Sequence, residues 1–143
     1  MGDLMPLPAL LPLPLLLAAA PAAPVPAAPT LVIERTLLKA APGKREALAR
    51  FIVANWFAMD RIAVSQRLFT GYRLYENAAG ADAAWDLAVE VGYPNPAGYD
   101  DSAVQARFAA IRAAHRTVPI DGQVLADLGR IIGSERLRPR EGS

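Results

Sequence analysis

The sequence contains no cysteine among its 143 residues. This absence excludes disulfides, thiolate metal sites, iron–sulfur clusters and cysteine nucleophiles. Histidine is almost as scarce, because His115 is the only one. A zinc site built on two or three histidines therefore cannot form within one chain. The chemistry left to the protein depends on carboxylates, hydroxyls, amides, guanidinium groups, aromatic rings and one imidazole.

Several motifs of common enzyme classes are also missing. The sequence has no glycine-rich phosphate loop, no Gly-x-Ser-x-Gly elbow and no His–Glu helix pair of the zinc proteases. The charge is nearly balanced, with 15 basic and 14 acidic residues, whereas nucleic-acid-binding proteins usually carry a basic patch. We therefore expect no nucleic-acid partner and no metal site.

The first 30 residues differ in composition from the rest of the chain. They hold eight of the 13 prolines, and their apolar stretch at residues 7–20 has the length of a signal-peptide core. That stretch is too short and too often interrupted by proline to span a bilayer. Small residues at positions 18–22 and 25–27 suit signal peptidase. The pattern predicts a leader over residues 1–30, and a periplasmic or secreted protein that leaves the membrane once the leader is removed.

One feature of the leader is unusual, because its start carries Asp3 and no lysine or arginine. A disordered Ala/Pro-rich tail on a cytoplasmic protein is the alternative. In either case residues 31–139 form the folded domain, and residues 140–143 are expected to be a disordered tail. A domain of this size buries a modest core, which dimerisation would supplement.

The domain begins with a predicted strand, helix and hairpin. Residues 31–40 are rich in branched side chains and predict strand one. Residues 44–66 predict an amphipathic helix, whose apolar positions recur at steps of three and four: Leu48, Phe51, Ile52, Trp56, Met59, Ile62 and Ala63. Residues 69–76 and 85–93 predict strands two and three, and pairing Glu76 with Trp85 gathers the large apolar residues on one face.

The rest of the domain is predicted less sharply. A second helix extends to about residue 116, and residues 123–132 predict a third, with Val124, Leu128, Ile131 and Ile132 facing inward. A short strand over residues 134–139 would follow. A strand over residues 131–137 is the alternative. The element order is that of the split βαβ, or ferredoxin-like, pattern. We therefore expect an α+β fold whose antiparallel sheet has helices on one face.

This order, together with three short segments, resembles the dimeric α/β-barrel superfamily, which includes antibiotic-biosynthesis-monooxygenase-like and EthD-like domains. The segments are Pro42-Gly43-Lys44, Leu74-Tyr75-Glu76 and Trp85-Asp86. The resemblance covers roughly residues 31–139. It implies a homodimer in which two sheets close a barrel, with pockets between each sheet and its helices. Members include cofactor-independent monooxygenases, haem-degrading enzymes, dehydratases and isomerases, so the resemblance does not fix a reaction.

Three residues are candidates for catalysis. In some oxygen-using members of this superfamily an asparagine and a tryptophan line the pocket, which suggests Asn55 and Trp56. The alternative is a core tryptophan with a polar flank. His115 is a candidate general base or axial haem ligand, because histidine readily transfers protons near neutrality. In the alternative, His115 is a half-buried residue near the C-terminus of a helix, where a positive charge is favourable. No cofactor is otherwise expected.

The predicted hairpin supplies a second group of candidates. Arg73 could bind a carboxylate or enolate, and a tyrosine could donate a hydrogen bond to the same ligand. The candidate ligand-binding residues are Tyr72, Arg73, Tyr75 and Glu90. The alternative is pairing across strands or across a dimer interface.

Three functions remain open at this stage. The first is an exported homodimeric domain that binds a small, partly apolar ligand. The second is a cofactor-independent monooxygenase or haem-modifying enzyme. The third is a structural or interaction protein without a small-molecule site.

Overall fold

The computed structural model describes residues 27–80 and 82–140. Most of the expected leader, residues 1–26, and residues 141–143 of the expected tail lie outside the described residues. No helix in the described part is long and apolar enough to cross a membrane.

The described residues form four strands, three helices and one short 3₁₀ turn. In chain order they are β1 (Val32–Ala40), α1 (Arg45–Ser65), β2 (Gly71–Glu76), β3 (Leu87–Tyr93), the 3₁₀ turn (Gly98–Asp100), α2 (Ser102–Ala114), α3 (Leu125–Leu128) and β4 (Gly129–Leu137). The sheet order is β2-β3-β1-β4, and every neighbouring pair is antiparallel. This is the ferredoxin-like α+β fold that the sequence predicts.

Helix α1 covers one end of the sheet. It follows a turn in which Gly43 has a φ of +71°, a conformation that suits glycine. Its apolar positions recur at helical spacing and pack with side chains of β1 and β3 in one buried cluster: Leu38, Leu48, Phe51, Ile52, Leu87, Val89 and Leu128. This packing is the arrangement expected for the strand-two and strand-three hairpin.

Helix α2 covers the other end of the same face. It begins where the Asp101 side chain accepts a hydrogen bond of 3.0 Å from the backbone N–H of Val104, which satisfies a donor that the first turn leaves free. Its buried side chains join a second apolar cluster: Ala63, Leu68, Phe69, Tyr93, Val104, Phe108 and Ile111. Both long helices therefore lie on one face of the sheet, and no helix within the described residues covers the other.

The register of the hairpin differs from the expected one by two residues. Glu76 lies opposite Leu87, not Trp85. The Asn77 side chain explains the difference, because its Oδ1 accepts from the N–H of Ala79 at 2.9 Å and its Nδ2 donates to the Trp85 carbonyl at 3.0 Å. These bonds hold Trp85 in the loop. A shift of two residues leaves each side chain on its expected face.

The expected third helix is too long. Helix α3 ends at Leu128, and β4 begins at Gly129, two residues before the strand that was the alternative. The free edge of β1 accounts for this, because pairing with it satisfies the backbone groups of Gly129–Leu137. A side chain at Gly129 would lie only 2.6 Å from the Lys39 carbonyl oxygen, so the approach requires glycine.

The predicted core is also wrong at several positions. Ile62 is 45% exposed, and the three predicted inward residues Val124, Ile131 and Ile132 are exposed as well. Only Leu128 of that group is buried. In α1 the buried face near the C-terminus includes Ala63, as expected, and also Asp60, which was not expected. Asp60 is thus an acidic residue on the buried face of the helix, where the predicted core has only apolar residues.

Candidate functional site

A cavity of about 360 Å³ lies between the sheet and the two long helices. Its lining comes from β1, α1, β3, α2 and the segments that join them: Glu34, Thr36, Trp56, Met59, Asp60, Phe69, Val89, Val91, Tyr93, Tyr99, Phe108 and Arg112. The volume falls in the range of small-molecule sites. The cavity is therefore where the fold itself creates room for a ligand.

Regular secondary structure positions most of the lining. Trp56, Met59 and Asp60 are three and four residues apart on α1, so they project from one side of the helix. Val89, Val91 and Tyr93 alternate along β3, so they share the face of the sheet below the helices. The walls of the cavity thus belong to rigid elements and not to loops.

Aromatic rings form one wall of the cavity. The Phe69 ring lies 5.0 Å from that of Tyr93 and 5.1 Å from that of Phe108, measured between ring centroids. The Tyr99 ring meets Phe108 edge to face at 6.1 Å. Packed rings of this kind hold one another in place. The wall offers an apolar, ordered surface to a ligand.

Asp60 is the most unusual group in the lining. Its side chain is buried, with 5% of the residue exposed, and it makes no hydrogen bond or ion pair with any residue in the described part of the chain. Burial raises its pKa to about 7, because a charged carboxyl loses its hydration inside a protein. A buried carboxyl beside a cavity can exchange a proton with a bound molecule near neutral pH.

The other acidic group in the lining, Glu34, has hydrogen-bond partners at one of its two carboxylate oxygens. Its Oε1 accepts from Arg136 Nη2 at 2.7 Å and from the N–H of Tyr99 at 3.3 Å. Arg136 also binds Asp100 at 2.8 Å. The pKa of the Tyr93 hydroxyl is raised by burial and then by the negative charges of Glu34 and Asp60. Tyr93 therefore stays protonated.

The one cationic side chain in the lining is Arg112. Its Nη2 donates to the Tyr99 hydroxyl at 3.2 Å, and its guanidinium carbon lies 5.2 Å from the centroid of the Phe108 ring. Both contacts lie on the helix α2 side of the cavity. Arg112 makes no ion pair with Asp60, so the protein supplies this carboxyl with no counter-charge.

Of the three predicted catalytic residues, only Trp56 lines the cavity. Asn55 and His115 form a separate cluster. Asn55 Nδ2 donates to the carbonyls of Phe51 at 3.0 Å and Val118 at 2.9 Å, and its Oδ1 accepts from the Val118 N–H at 2.7 Å. These bonds fasten the segment after α2 to helix α1. A catalytic role for Asn55 or His115 stays a prediction.

The same cluster bears on the haem alternative. His115 Nε2 lies 3.0 Å from Asn55 Oδ1. That oxygen can only accept, so Nε2 carries the hydrogen. A nitrogen that donates in this way cannot ligate iron, and His115, the only histidine, is absent from the cavity lining. The structure therefore does not fit a haem that His115 ligates in this cavity.

The four predicted ligand-binding residues lie together elsewhere. Tyr72, Arg73, Tyr75 and Glu90 border a hollow of about 520 Å³ at the β2 side of the sheet. It is larger than the cavity between the layers but lies open to solvent. Glu90 is already bound by Arg35, at 2.6 and 2.9 Å. Within the described residues no buried side-chain atom without a partner lines this hollow, so we place the candidate site in the cavity between the layers.

Asp60 was missed because sequence reasoning followed the apolar residues of α1. One signal was available. Asp60 comes four residues after Trp56 and three before Ala63, which puts it on the inner stripe of the helix. An acidic residue on such a stripe is rarely buried without a function or a partner. No group of three acidic or histidine residues that could hold a metal ion occurs in the described part of the chain.

Comparisons with known proteins concern the whole domain. No protein-family model matches the chain, and no curated protein matches it. Among solved structures, a protein of Chloroflexus aurantiacus J-10-fl named for antibiotic biosynthesis monooxygenases is 16% identical, with a TM-score of 0.41, over 80% of this chain and 97% of that one. The likeness is one of fold.

A second solved structure is similar to the same extent. It is PA3566 from Pseudomonas aeruginosa, 14% identical, with a TM-score of 0.43, over 81% of this chain and 98% of that one. The function of this protein must be argued from its own cavity.

The buried carboxyl predicts how stability depends on pH. The ordinary pKa of Asp60 is 3.8, and its pKa in the folded protein is about 7, so the folded state binds the proton more tightly than the unfolded state. The contribution of Asp60 to stability is fully present below about pH 4 and is lost as the pH rises to 7. We expect Asp60→Asn to be more stable than the unaltered protein at pH 8, by roughly 2–4 kcal/mol.

Chemical denaturation at pH 5 and pH 8 measures this difference. Asp82→Asn, at an exposed loop position, is the control and should follow the unaltered protein at both pH values. If Asp60→Asn and the unaltered protein lose the same stability between pH 5 and pH 8, Asp60 does not titrate in that range.

Proposed function

We propose that this protein binds a small, partly apolar molecule in the cavity between its sheet and its helices. The observation that carries the proposal is the composition of the lining. Aromatic and aliphatic side chains face the same space as Asp60, Tyr93 and Arg112. Small-molecule sites combine an apolar lining with a few convergent polar groups in this way.

The size and depth of the cavity support the same proposal. A volume of about 360 Å³ accommodates a molecule with one ring or a short alkyl chain. Its walls come from two layers of the fold, so a bound molecule would contact both the sheet and the helices. Burial of an apolar body contributes about 25 cal/mol for each Å² removed from water. A ligand of this kind would bind without any cofactor.

The monooxygenase alternative has less support in the site. Trp56 lines the cavity, but Asn55 is bonded to backbone groups of Phe51 and Val118. The cavity itself suits a ligand-binding protein as well as an enzyme. Binding is therefore the function that we propose, and turnover of the ligand is a separate question.

Ligand binding can be tested with a blocked variant. We expect Val91→Phe to fill the cavity, because Val91 lines it, while Val53→Phe places the same ring on the exposed side of α1, where Val53 is 52% exposed. Phenols, quinones, fatty acids, and short amines and alcohols form the screen. Ligands should raise the thermal midpoint of the unaltered protein and of Val53→Phe, but not that of Val91→Phe.

A spectroscopic signal confirms where a ligand lies. The chain has two tryptophans, so Trp85→Phe leaves Trp56 as the only one. Ligands found in the screen should change its emission. If no compound shifts the midpoint and the Trp56 emission stays constant, the cavity is not a binding site of this kind.

We also propose that the protein is a homodimer, paired through the uncovered face of the sheet. That face carries Ile33 and Leu37 from β1 and Tyr75, which is 40% exposed. Arg35 and Glu90 lie on the same face and neutralise each other, which lowers the cost of covering them. Covering this face would bury apolar area that a domain of this size leaves in water.

Sedimentation equilibrium tests the dimer. The purified protein should have twice the mass of one chain at micromolar concentration. Leu37→Arg should give a monomer, because a charge would be buried without a partner, whereas Val53→Arg on the helix side should remain dimeric. A monomer for the unaltered protein would reject the proposal.

Export is proposed from the sequence of residues 1–30. N-terminal sequencing of the protein recovered from the extracellular or periplasmic fraction should give a first residue between positions 20 and 30. Recovery from the cytoplasm with Met1 or Gly2 as the first residue would reject it.

A further inference from the structure

We propose that Asp60 is the anchoring group of the cavity and that its ligand is a protonated amine carried on a small apolar body. This inference rests on the proposed binding function and names the chemical class of the ligand. Three features support it: the partners of the buried carboxylates, the charges around the cavity and the aromatic wall.

The two buried aspartates in the described part of the chain differ in their hydrogen-bond partners. Asp86 is 5% exposed and has three partners. It accepts from Arg45 at 2.7 Å, from the N–H of Ala40 at 2.8 Å and from Lys39 at 3.4 Å. Burial alone would raise the pKa of Asp86, but these donors outweigh it, and its pKa is lowered. Asp86 is therefore a stabilised structural anion.

Asp60 is equally buried, at 5% exposed, and has none of these donors within residues 27–80 and 82–140. Carboxylates in a protein interior usually have hydrogen-bond partners. The Asp60 oxygens keep some contact with solvent, since Asn95 Oδ1 is the only fully buried side-chain atom without a partner in the described part of the chain. Asp60 lines the cavity, which is the space from which a partner can approach. The missing donor can be supplied by the ligand.

The charges on the surrounding elements do not satisfy Asp60. Across from α1, Glu34 of β1 is held by Arg136 of β4. On β3, Tyr93 contributes a neutral hydroxyl. On the other side, the Arg112 guanidinium is bonded to the Tyr99 hydroxyl and lies against the Phe108 ring. Neither Arg112 nor Asp60 has an ion-pair partner within the described residues, but Arg112 is bonded to a hydroxyl and lies against a ring, whereas the Asp60 carboxylate has no hydrogen-bond donor.

An ammonium group satisfies the Asp60 carboxylate better than the alternatives. An anionic ligand would meet a second negative charge, and a neutral hydroxyl would supply a hydrogen bond without a counter-charge. A hydrogen bond between charged groups is stronger than one between neutral groups by about a factor of ten in affinity. The faces of aromatic rings also attract cations, and Trp56, Phe69 and Tyr93 line the same cavity as the carboxyl.

The rest of the ligand is defined by the apolar lining. Met59 of α1 and Val89 and Val91 of β3 line the same cavity. They can pack against a phenyl ring or a branched alkyl chain, but they offer no hydrogen bond. The ligand class is therefore an amphipathic primary or secondary amine whose charge lies at one end.

Matched ligands and a matched variant test this inference. 2-Phenylethylamine is compared with 2-phenylethanol and phenylacetate, and n-hexylamine with n-hexanol, in calorimetric titrations at pH 8. For the unaltered protein we expect each amine to bind at least about tenfold more tightly than its alcohol, and phenylacetate to bind most weakly. In Asp60→Asn the preference for the amine should fall to less than about twofold, while the affinity for the alcohol changes little. Asp82→Asn should retain the preference of the unaltered protein.

The pH dependence supplies a second readout. Between pH 8 and pH 5.5 the affinity for 2-phenylethylamine should fall in the unaltered protein, because Asp60 takes up a proton, and the affinity for 2-phenylethanol should not. Equal affinities for amine and alcohol in the unaltered protein, or an amine preference that survives in Asp60→Asn, would overturn the inference but leave the binding function intact. If no probe binds although the thermal-shift screen finds other ligands for the unaltered protein, the inference fails and the binding function stands. If the screen of the unaltered protein also finds nothing, the binding function fails with it.

Discussion

The packing of α1 across the sheet determines both the core of this protein and its cavity. In its first half the helix presents Leu48, Phe51 and Ile52 to Leu38 and its neighbours on the sheet, and these side chains close a dry cluster. In its second half it presents Trp56, Met59 and Asp60 to β3. Opposite these residues β3 carries Val89 and Val91, whose small side chains leave the cavity unfilled. One helix therefore serves as a structural element at one end and as the wall of a binding site at the other.

Burial of Asp60 in this wall lowers the stability of the folded protein when the carboxyl is ionised. An ionised carboxyl with no donor loses hydration without gaining a hydrogen bond. The pKa of Asp60 is therefore raised to about 7, and near neutral pH both its charged and its neutral forms are populated. The chain is able to satisfy a buried carboxylate, as it does for Asp86 with Arg45 and the Ala40 N–H. The difference between the two sites is that Asp86 lies where β1, α1 and the hairpin loop meet, whereas Asp60 faces open volume. This contrast is the reason to regard Asp60 as functional and Asp86 as structural.

Local patterns predicted much of the fold. The alternation in β3 and the helical spacing in α1 reflect burial on one side of each element, and the observed elements agree with them within a few residues. The ferredoxin-like order followed from these elements. The hairpin register could not be read in the same way, because it depends on the turn formed by the Asn77 side chain. The start of β4 depends on the free edge of β1, which is distant in sequence, and this tertiary pairing overrode the helical pattern of residues 123–132.

The site was harder to predict than the fold. Trp56 was placed correctly as an inward residue, since large aromatic side chains follow the apolar stripe. Whether a polar residue finds partners depends on neighbours from other elements, and the sequence does not show them. Asn55 is bonded to Val118, 63 residues away, whereas Asp60 is bonded to none of the described residues. This difference is visible only in the three-dimensional structure.

The ionisation of Asp60 in the free protein is the quantity that tests this account most directly. Carbon-detected NMR of the aspartate carboxyl groups, followed from pH 3 to pH 9 and assigned with Asp60→Asn, measures it. The account predicts that the Asp60 resonance titrates with a midpoint of about 7, well above those of the exposed aspartates. A midpoint near 4 would show that the carboxyl is hydrated or paired, and would contradict the proposed role of Asp60 in the cavity.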